Sequence, residues 1–126
     1  MRYLLDTHII LWWLSEPDKI SKKIKHVIDD RHNKIFLSSV SFWEMAIKQS
    51  LGRLTIPKNV LEVLASEGFE MLPLTPEEGL SVSDLPFIHN DPFDRMLIIQ
   101  AKMNNLVFIT QDSKISEYPV VTLHAS

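Results

Sequence analysis

The sequence contains no cysteine, so neither a disulfide framework nor a thiolate metal site is available, and the chain suits a reducing compartment. It also lacks an uninterrupted apolar run of membrane-spanning length. The apolar stretch near the start is broken by Asp6 and His8, carries only Arg2 ahead of it and shows no small-residue cleavage site. Neither a signal peptide nor a membrane segment is expected, and the expected location is the cytoplasm. Repeats, low-complexity tracts and linkers are absent as well. What remains is one domain over 1–126, long enough to bury a core and too short to divide in two.

An excess of positive charge is missing too. The formal net charge of −3 argues on its face against a nucleic-acid partner. Setting Asp6, Glu44, Asp94 and Asp112 aside from the 16 Asp plus Glu, however, leaves 12 acids against 13 Lys plus Arg. If those four bind cations, overall charge no longer excludes an RNA ligand. The densest basic stretch, Lys19, Lys22, Lys23, Lys25 and Arg31, has the plainer reading of a solvated helix face.

What is present alternates. Arg2-Tyr3-Leu4-Leu5 reads as a buried strand ending at Asp6, and His8 to Leu14 turns helical before Glu16-Pro17. Ser21 to Asp30 predicts an amphipathic helix and Ile35-Phe36-Leu37 a second strand. The spacing of Val40, Trp43, Ile47 and Leu51 marks one face of a helix that Gly52 ends. Asn59 to Ser66 is a short helix, Phe69 to Leu72 a third strand, and Thr75-Pro76-Glu77-Glu78 opens another helix with acids in its first turn. A helix from Asp91 to Asn104, a strand over Val107 to Thr110 and a fifth over Val120 to Leu123 complete the chain. The expected fold is an α/β sandwich with a mostly parallel sheet of about five strands.

Four acids occupy comparable junctions. Asp6 follows the first strand, Glu44 lies early in the helix after the second, Asp94 starts the helix leading into the fourth, and Asp112 follows the fourth. Ligands of an open parallel sheet gather beyond the carboxyl ends of its strands, so these residues can meet. Four adjacent carboxylates repel unless cations intervene. An oxygen-only donor set without cysteine or paired histidines favours Mg²⁺ or Mn²⁺ over zinc. Water activated by such an ion attacks phosphorus, which points to phosphodiester hydrolysis.

Each acid also has a plainer reading. Asp91 before Pro92 reads as a helix cap followed by the first helical residue, and Asp94 as a first-turn acid facing the helix dipole. Ser41-Phe42-Trp43-Glu44 has the form of a capping box, which would spend Glu44 on the helix start. An α/β signalling or binding module, with capping acids and one phosphoryl-accepting or Mg²⁺-binding aspartate, is the competing function. Such a module has no call for a glutamate inside the helix after the second strand.

Leu5-Asp6-Thr7-His8, then Ser41-Phe42-Trp43-Glu44 with Lys48 and Gly52-Arg53-Leu54, then His89-Asn90-Asp91-Pro92-Phe93-Asp94-Arg95, then Thr110-Gln111-Asp112 resemble, in order and spacing, the PIN-domain nucleases, and most of all the VapC-type toxins of bacterial toxin–antitoxin pairs. The likeness runs from Arg2 to about Leu123. It implies that Asp6, Glu44, Asp94 and Asp112 are the acidic metal-binding residues, that Thr110 helps order the site, and that Asp91 either shares in it or only caps. It implies a Mg²⁺-dependent endoribonuclease acting on RNA, silenced by a cognate antitoxin protein and often paired as a homodimer.

Arg95 and Lys48 are candidates to contact phosphate, against the plainer reading that Arg95 pairs with a nearby carboxylate to hold the loop. His8 and His89 read as structural, the first as a hydrogen-bonder at a helix start and the second as a loop anchor. Trp12, Trp13, Phe42 and Trp43 are more aromatics than this core needs, so some are expected to line an apolar groove between the first and third helices where an antitoxin segment docks.

Overall fold

A computed structural model describes residues 1–126. Five short strands, β1 (Arg2–Leu5), β2 (Lys34–Ser38), β3 (Glu70–Leu72), β4 (Val107–Thr110) and β5 (Thr122–His124), form one sheet in the order β3-β2-β1-β4-β5. Every neighbouring pair is parallel. The helices are α1 (Thr7–Ser15), α2 (Lys22–Asp29), α3 (Ser39–Ser50), α4 (Val60–Ser66), α5 (Pro76–Ser81) and α6 (Pro92–Met103), with 3₁₀ turns at Pro17–Lys19, Val82–Asp84 and Ser113–Glu117. No helix is long and apolar enough to cross a membrane.

The near-continuous apolar strands follow from burial on both faces of the sheet. Successive strand residues point to opposite sides. Tyr3, Leu5, Ile35, Leu37 and Ile109 face one core with Ile9 and Ile10 of α1, Ile24 and Ile28 of α2 and Leu64 of α4. Leu4 and Phe108 face the other, against Val40 of α3, Leu97, Ile98 and Ala101 of α6, and Ile115 and Tyr118 beyond β4. The result is a three-layer α/β/α sandwich, as the sequence predicts.

From β1 the chain proceeds to β2 on one side and receives β4 on the other. The order therefore reverses between β1 and β4, and the loops leaving those two strands open a crevice there. Asp6 and Asp112 stand in those loops. The Asp6 N–H donates to the Ile109 carbonyl at 2.9 Å, so the ladder between the strands reaches the site's first residue.

Two local expectations are corrected. The capping box at Ser41–Glu44 does not form, because α3 begins earlier: Ser38 is its cap and its Oγ accepts the Val40 N–H at 3.0 Å. Ser41 is instead buried, its Oγ accepting from Thr7 Oγ1 at 2.9 Å. A capping box forms at Thr75 and Glu78, each side chain accepting the other's backbone N–H. The fifth strand, expected over Val120 to Leu123, lies at Thr122–His124. Tyr118 is buried in the α6-side core, and the following chain first reaches the sheet edge where the Val121 carbonyl accepts the Phe108 N–H at 2.8 Å.

The C-terminus of α3 is closed by two paired bonds. The Gly52 N–H donates to the Gln49 carbonyl at 3.0 Å and the Arg53 N–H to that of Lys48 at 2.9 Å. This motif needs the intervening residue in the left-handed region, where Gly52 has φ +71°. An added Cβ there would meet no neighbouring atom within 4 Å, so conformation and not space requires glycine. Gly52→Ala is expected to lower unfolding free energy by about 1 kcal/mol in urea melts; an unchanged midpoint would contradict this.

Candidate active site

Asp6 stands at the N-cap position of α1, yet its side chain makes no capping bond. It is 2% exposed. Its Oδ2 accepts from Thr110 Oγ1 at 2.7 Å, and the same Thr110 oxygen accepts the Asp112 N–H at 3.0 Å. One hydroxyl thus ties the residues after β1 and β4 together. Asp6 Oδ1 is buried with no hydrogen-bond partner.

Glu44, freed from the helix start, is 3% exposed. Lys48, one turn on, holds its Oε2 at 2.9 Å, while Oε1 is buried without a partner. The fold contains an instructive contrast in Glu78, also buried. Its carboxylate accepts from the Thr75 N–H, Gln100 Nε2 and Asn104 Nδ2. Burial acts to raise the Glu78 pKa, but these donors outweigh it and hold the group below its ordinary value. Asp6 and Glu44 lack such a complement.

Asp94 lies in the first turn of α6. Burial first, and then the charges of Asp6, Asp91, Glu44 and Asp112, push its pKa up to about 8. Asp6 is also raised, chiefly by burial. Asp112 goes the other way: burial opposes its ionisation, but the Lys114 N–H and His89 hold its carboxyl below the ordinary value. All four predicted acids therefore interact at one rim of the sheet.

The tightest group includes a residue, His89, that from the sequence reads as a loop anchor. His89, Asp94 and Asp112 have ligand-type atoms all within 4.8 Å of one another. His89 does anchor its loop, its Nδ1 accepting the Asp91 N–H at 3.0 Å, but its Nε2 also sits 2.9 Å from Asp112 and 3.3 Å from Asp94. Its place two residues before Asp91 is the only sequence signal for this. His8 is exposed and linked to the site only through its charge beside Asp6.

Asp91 caps α6, its Oδ1 accepting the Phe93 and Asp94 N–H groups at 2.8 and 3.1 Å. Arg95 contacts neither an open phosphate site nor a carboxylate, correcting both readings of it. It is buried, and donates to the carbonyls of Pro86 at 2.8 Å and Leu85 at 3.0 Å, with longer bonds to Val82, His89 and the Tyr118 hydroxyl. Its work is to hold the 82–89 loop against α6.

A model of the PIN domain family matches residues 3–121. The chain belongs to the PIN domain family. Ribonuclease VapC22 of Mycobacterium tuberculosis is 25% identical over 118 residues, spanning 91% of this chain and 90% of that protein. Among solved structures, VapBC2 of Rickettsia felis bound to a promoter DNA fragment superposes with a TM-score of 0.76 at 16% identity, covering all of both chains. The DNA-bound VapBC of Salmonella typhimurium gives 0.65 at 17% identity, covering 98% of each.

In this PIN domain the donor set suits a divalent cation. Two buried carboxylate oxygens without donors, on Asp6 and Glu44, and an aspartate whose ionisation burial and neighbouring acids oppose are what a hard cation would relieve, and all the predicted donors are oxygens. His89, Asp94 and Asp112 have ligand atoms close enough to share one ion, and Asp6 and Glu44 each keep a buried oxygen without a donor.

The apolar groove is displaced from its expected place between α1 and α3. Trp12, Trp13 and Phe42 pack against the first core, and Trp13 also donates to Glu67 at 2.7 Å. Trp43 alone is free, 60% exposed and edge-on to Phe93 at 5.1 Å. With Val40, Leu74, Phe87 and Met96 it lines a groove of about 400 Å³ between α3, α6 and the 82–87 segment.

The raised Asp94 pKa carries a stability consequence. The stabilisation from binding the proton is complete below the ordinary value of 3.8 and is lost as pH rises through about 8. In EDTA, the wild type is expected to lose stability across that range, and Asp94→Asn to melt higher at pH 8, with the gap closing towards pH 4. A variant melting at or below the wild type at pH 8 would contradict the assignment.

Proposed function

We propose that this chain is a VapC-type endoribonuclease toxin that uses Mg²⁺, or Mn²⁺ in its place, and is inhibited by a cognate antitoxin. The observation that carries the reading is the meeting of four acids with two buried carboxylate oxygens unpartnered. The likeness to a protein named as a ribonuclease and to VapBC complexes supports the substrate and partner classes.

The chain's residues divide the work. Thr110 pins one oxygen of Asp6 and leaves the other for a cation. Lys48 does the same for Glu44. Asp94, whose ionisation burial and its acidic neighbours oppose, and Asp112, whose charge the Lys114 N–H and His89 favour, would complete the set that holds the cation. The chemistry a bound Mg²⁺ supplies is acidification of water and neutralisation of charge building on the phosphate. In the net reaction water adds to phosphorus, one P–O ester bond breaks, and the leaving oxygen takes up a proton.

The competing signalling module is disfavoured by Glu44. Inside α3 it caps nothing, and its buried charge has one lysine for two oxygens. We further propose that the Trp43–Phe93 groove receives an apolar antitoxin segment, and that the free chain pairs as a homodimer.

The test is purified protein incubated with total RNA in Mg²⁺ or EDTA, wild type beside Asp6→Asn. Asparagine keeps an acceptor for Thr110 and removes the charge. Cleavage is expected only with Mg²⁺ and is expected to fall at least about 100-fold in the variant. Equal cleavage in EDTA or by the variant would overturn the proposal. For the groove, Trp43→Ala is expected to weaken antitoxin binding at least about tenfold by calorimetry, as loss of an exposed aromatic anchor does, with RNA cleavage retained. Unchanged affinity would remove the groove from the interface.

A further inference from the structure

His89 is close enough to Asp94 and Asp112 to complete a three-residue metal site by distance alone. Its hydrogen bonds argue for a different part. The Asp91 backbone N–H points at Nδ1 from 3.0 Å, and a backbone amide can only donate. Nδ1 must therefore keep its lone pair, which puts the ring proton on Nε2. That N–H donates to Asp112 Oδ2 at 2.9 Å, and Asp94 Oδ2 lies beside the same nitrogen at 3.3 Å. A histidine that ligates a metal shows the opposite pattern, donating from the outer nitrogen and offering the inner one to the ion.

The backbone that carries the ring is itself held. The Ile88 and His89 N–H groups both donate to the Tyr118 hydroxyl, at 3.0 and 2.6 Å. Arg95 reaches the same hydroxyl and the His89 carbonyl. Tyr118 is itself buried in the α6-side core. A buried clamp thus fixes the backbone that carries the ring, and Asp91, the cap of α6, fixes its face.

We propose that His89 is a positioning residue of the acidic centre and not one of its ligands. Its Nε2–H holds the Asp112 carboxylate, next to Asp94, in the orientation that presents its remaining lone pairs to a cation, so the site is built of oxygen donors alone. This rests on the metal-dependent reading of the four acids.

The test uses the full chain with ¹⁵N-labelled histidine. Long-range proton–nitrogen correlation spectra in EDTA are expected to show His89 with its proton on Nε2 and a bare Nδ1, and the same pattern after Mg²⁺ is added. A proton on Nδ1, or an Nε2 that loses its proton when Mg²⁺ binds, would overturn the inference. In parallel, Mn²⁺ affinity is read from the electron paramagnetic resonance signal of the free ion. His89→Gln, which keeps an N–H at the same reach, is expected to stay within about threefold of wild type, and His89→Leu to bind at least about tenfold more weakly. Equal affinity of the leucine variant and wild type would contradict the proposal, and the spectra of the wild type decide the matter if that variant fails to fold. Neither readout involves RNA. A chain that cuts no RNA therefore leaves this inference standing, whereas a wild type that binds no Mn²⁺ overturns it together with the metal-dependent reading.

Discussion

Burial and mutual repulsion of carboxylates at the point where the sheet order reverses are the constraint on which the rest of the molecule turns. Parallel strands can deliver loops from β1 and β4 to one rim, and the helices between them start there, so Asp6, Glu44, Asp94 and Asp112 meet although far apart in sequence. Such a meeting costs stability. The cost shows in the raised pKa of Asp94, set first by burial and then by its acidic neighbours, and in bare oxygens on Asp6 and Glu44. Glu78, buried in the same small fold, shows that this chain can satisfy a carboxylate with neutral donors where no ion is needed. Asp6 and Glu44, by contrast, each keep an oxygen without a donor.

The rim holds its shape through groups other than the four acids. Thr110 serves Asp6 and the Asp112 backbone with one oxygen. Arg95 gathers backbone carbonyls of the 82–89 loop and stacks on Phe87 at 4.2 Å. A guanidinium buried among carbonyls is satisfied without a counter-charge while fixing the loop that presents His89 and Asp91. Packing, cap and site are one construction here: the residue that starts α6 also orients the histidine beside the acids.

Much of this was legible in the residues. Apolar runs ending in an acid, Asp91 before Pro92 and the helical spacing from Val40 locate strands, cap and helices because local chemistry decides them. The four acids could be listed from their junctions, and their resemblance to PIN-domain nucleases narrowed a common pattern to a specific one. Other features depend on partners far along the chain. Ser41–Glu44 has the form of a capping box, but Thr7 claims the Ser41 hydroxyl and Ser38 takes the cap. Arg95 among acids invites an ion pair, yet the loop before α6 folds over it and offers carbonyls instead. Trp43 reads like Trp12 and Trp13 until the packing leaves it alone exposed. The second role of His89 requires knowing that Asp112 returns beside it.

The most direct measurement is the position of Mn²⁺ located by its anomalous scattering in crystals of the protein. The account predicts a peak within coordination distance of Asp6 Oδ1 and at least two of Glu44, Asp94 and Asp112, with His89 Nε2 outside the coordination sphere. No peak at the rim under saturating Mn²⁺, or one lying away from Asp6 and Glu44, would contradict it.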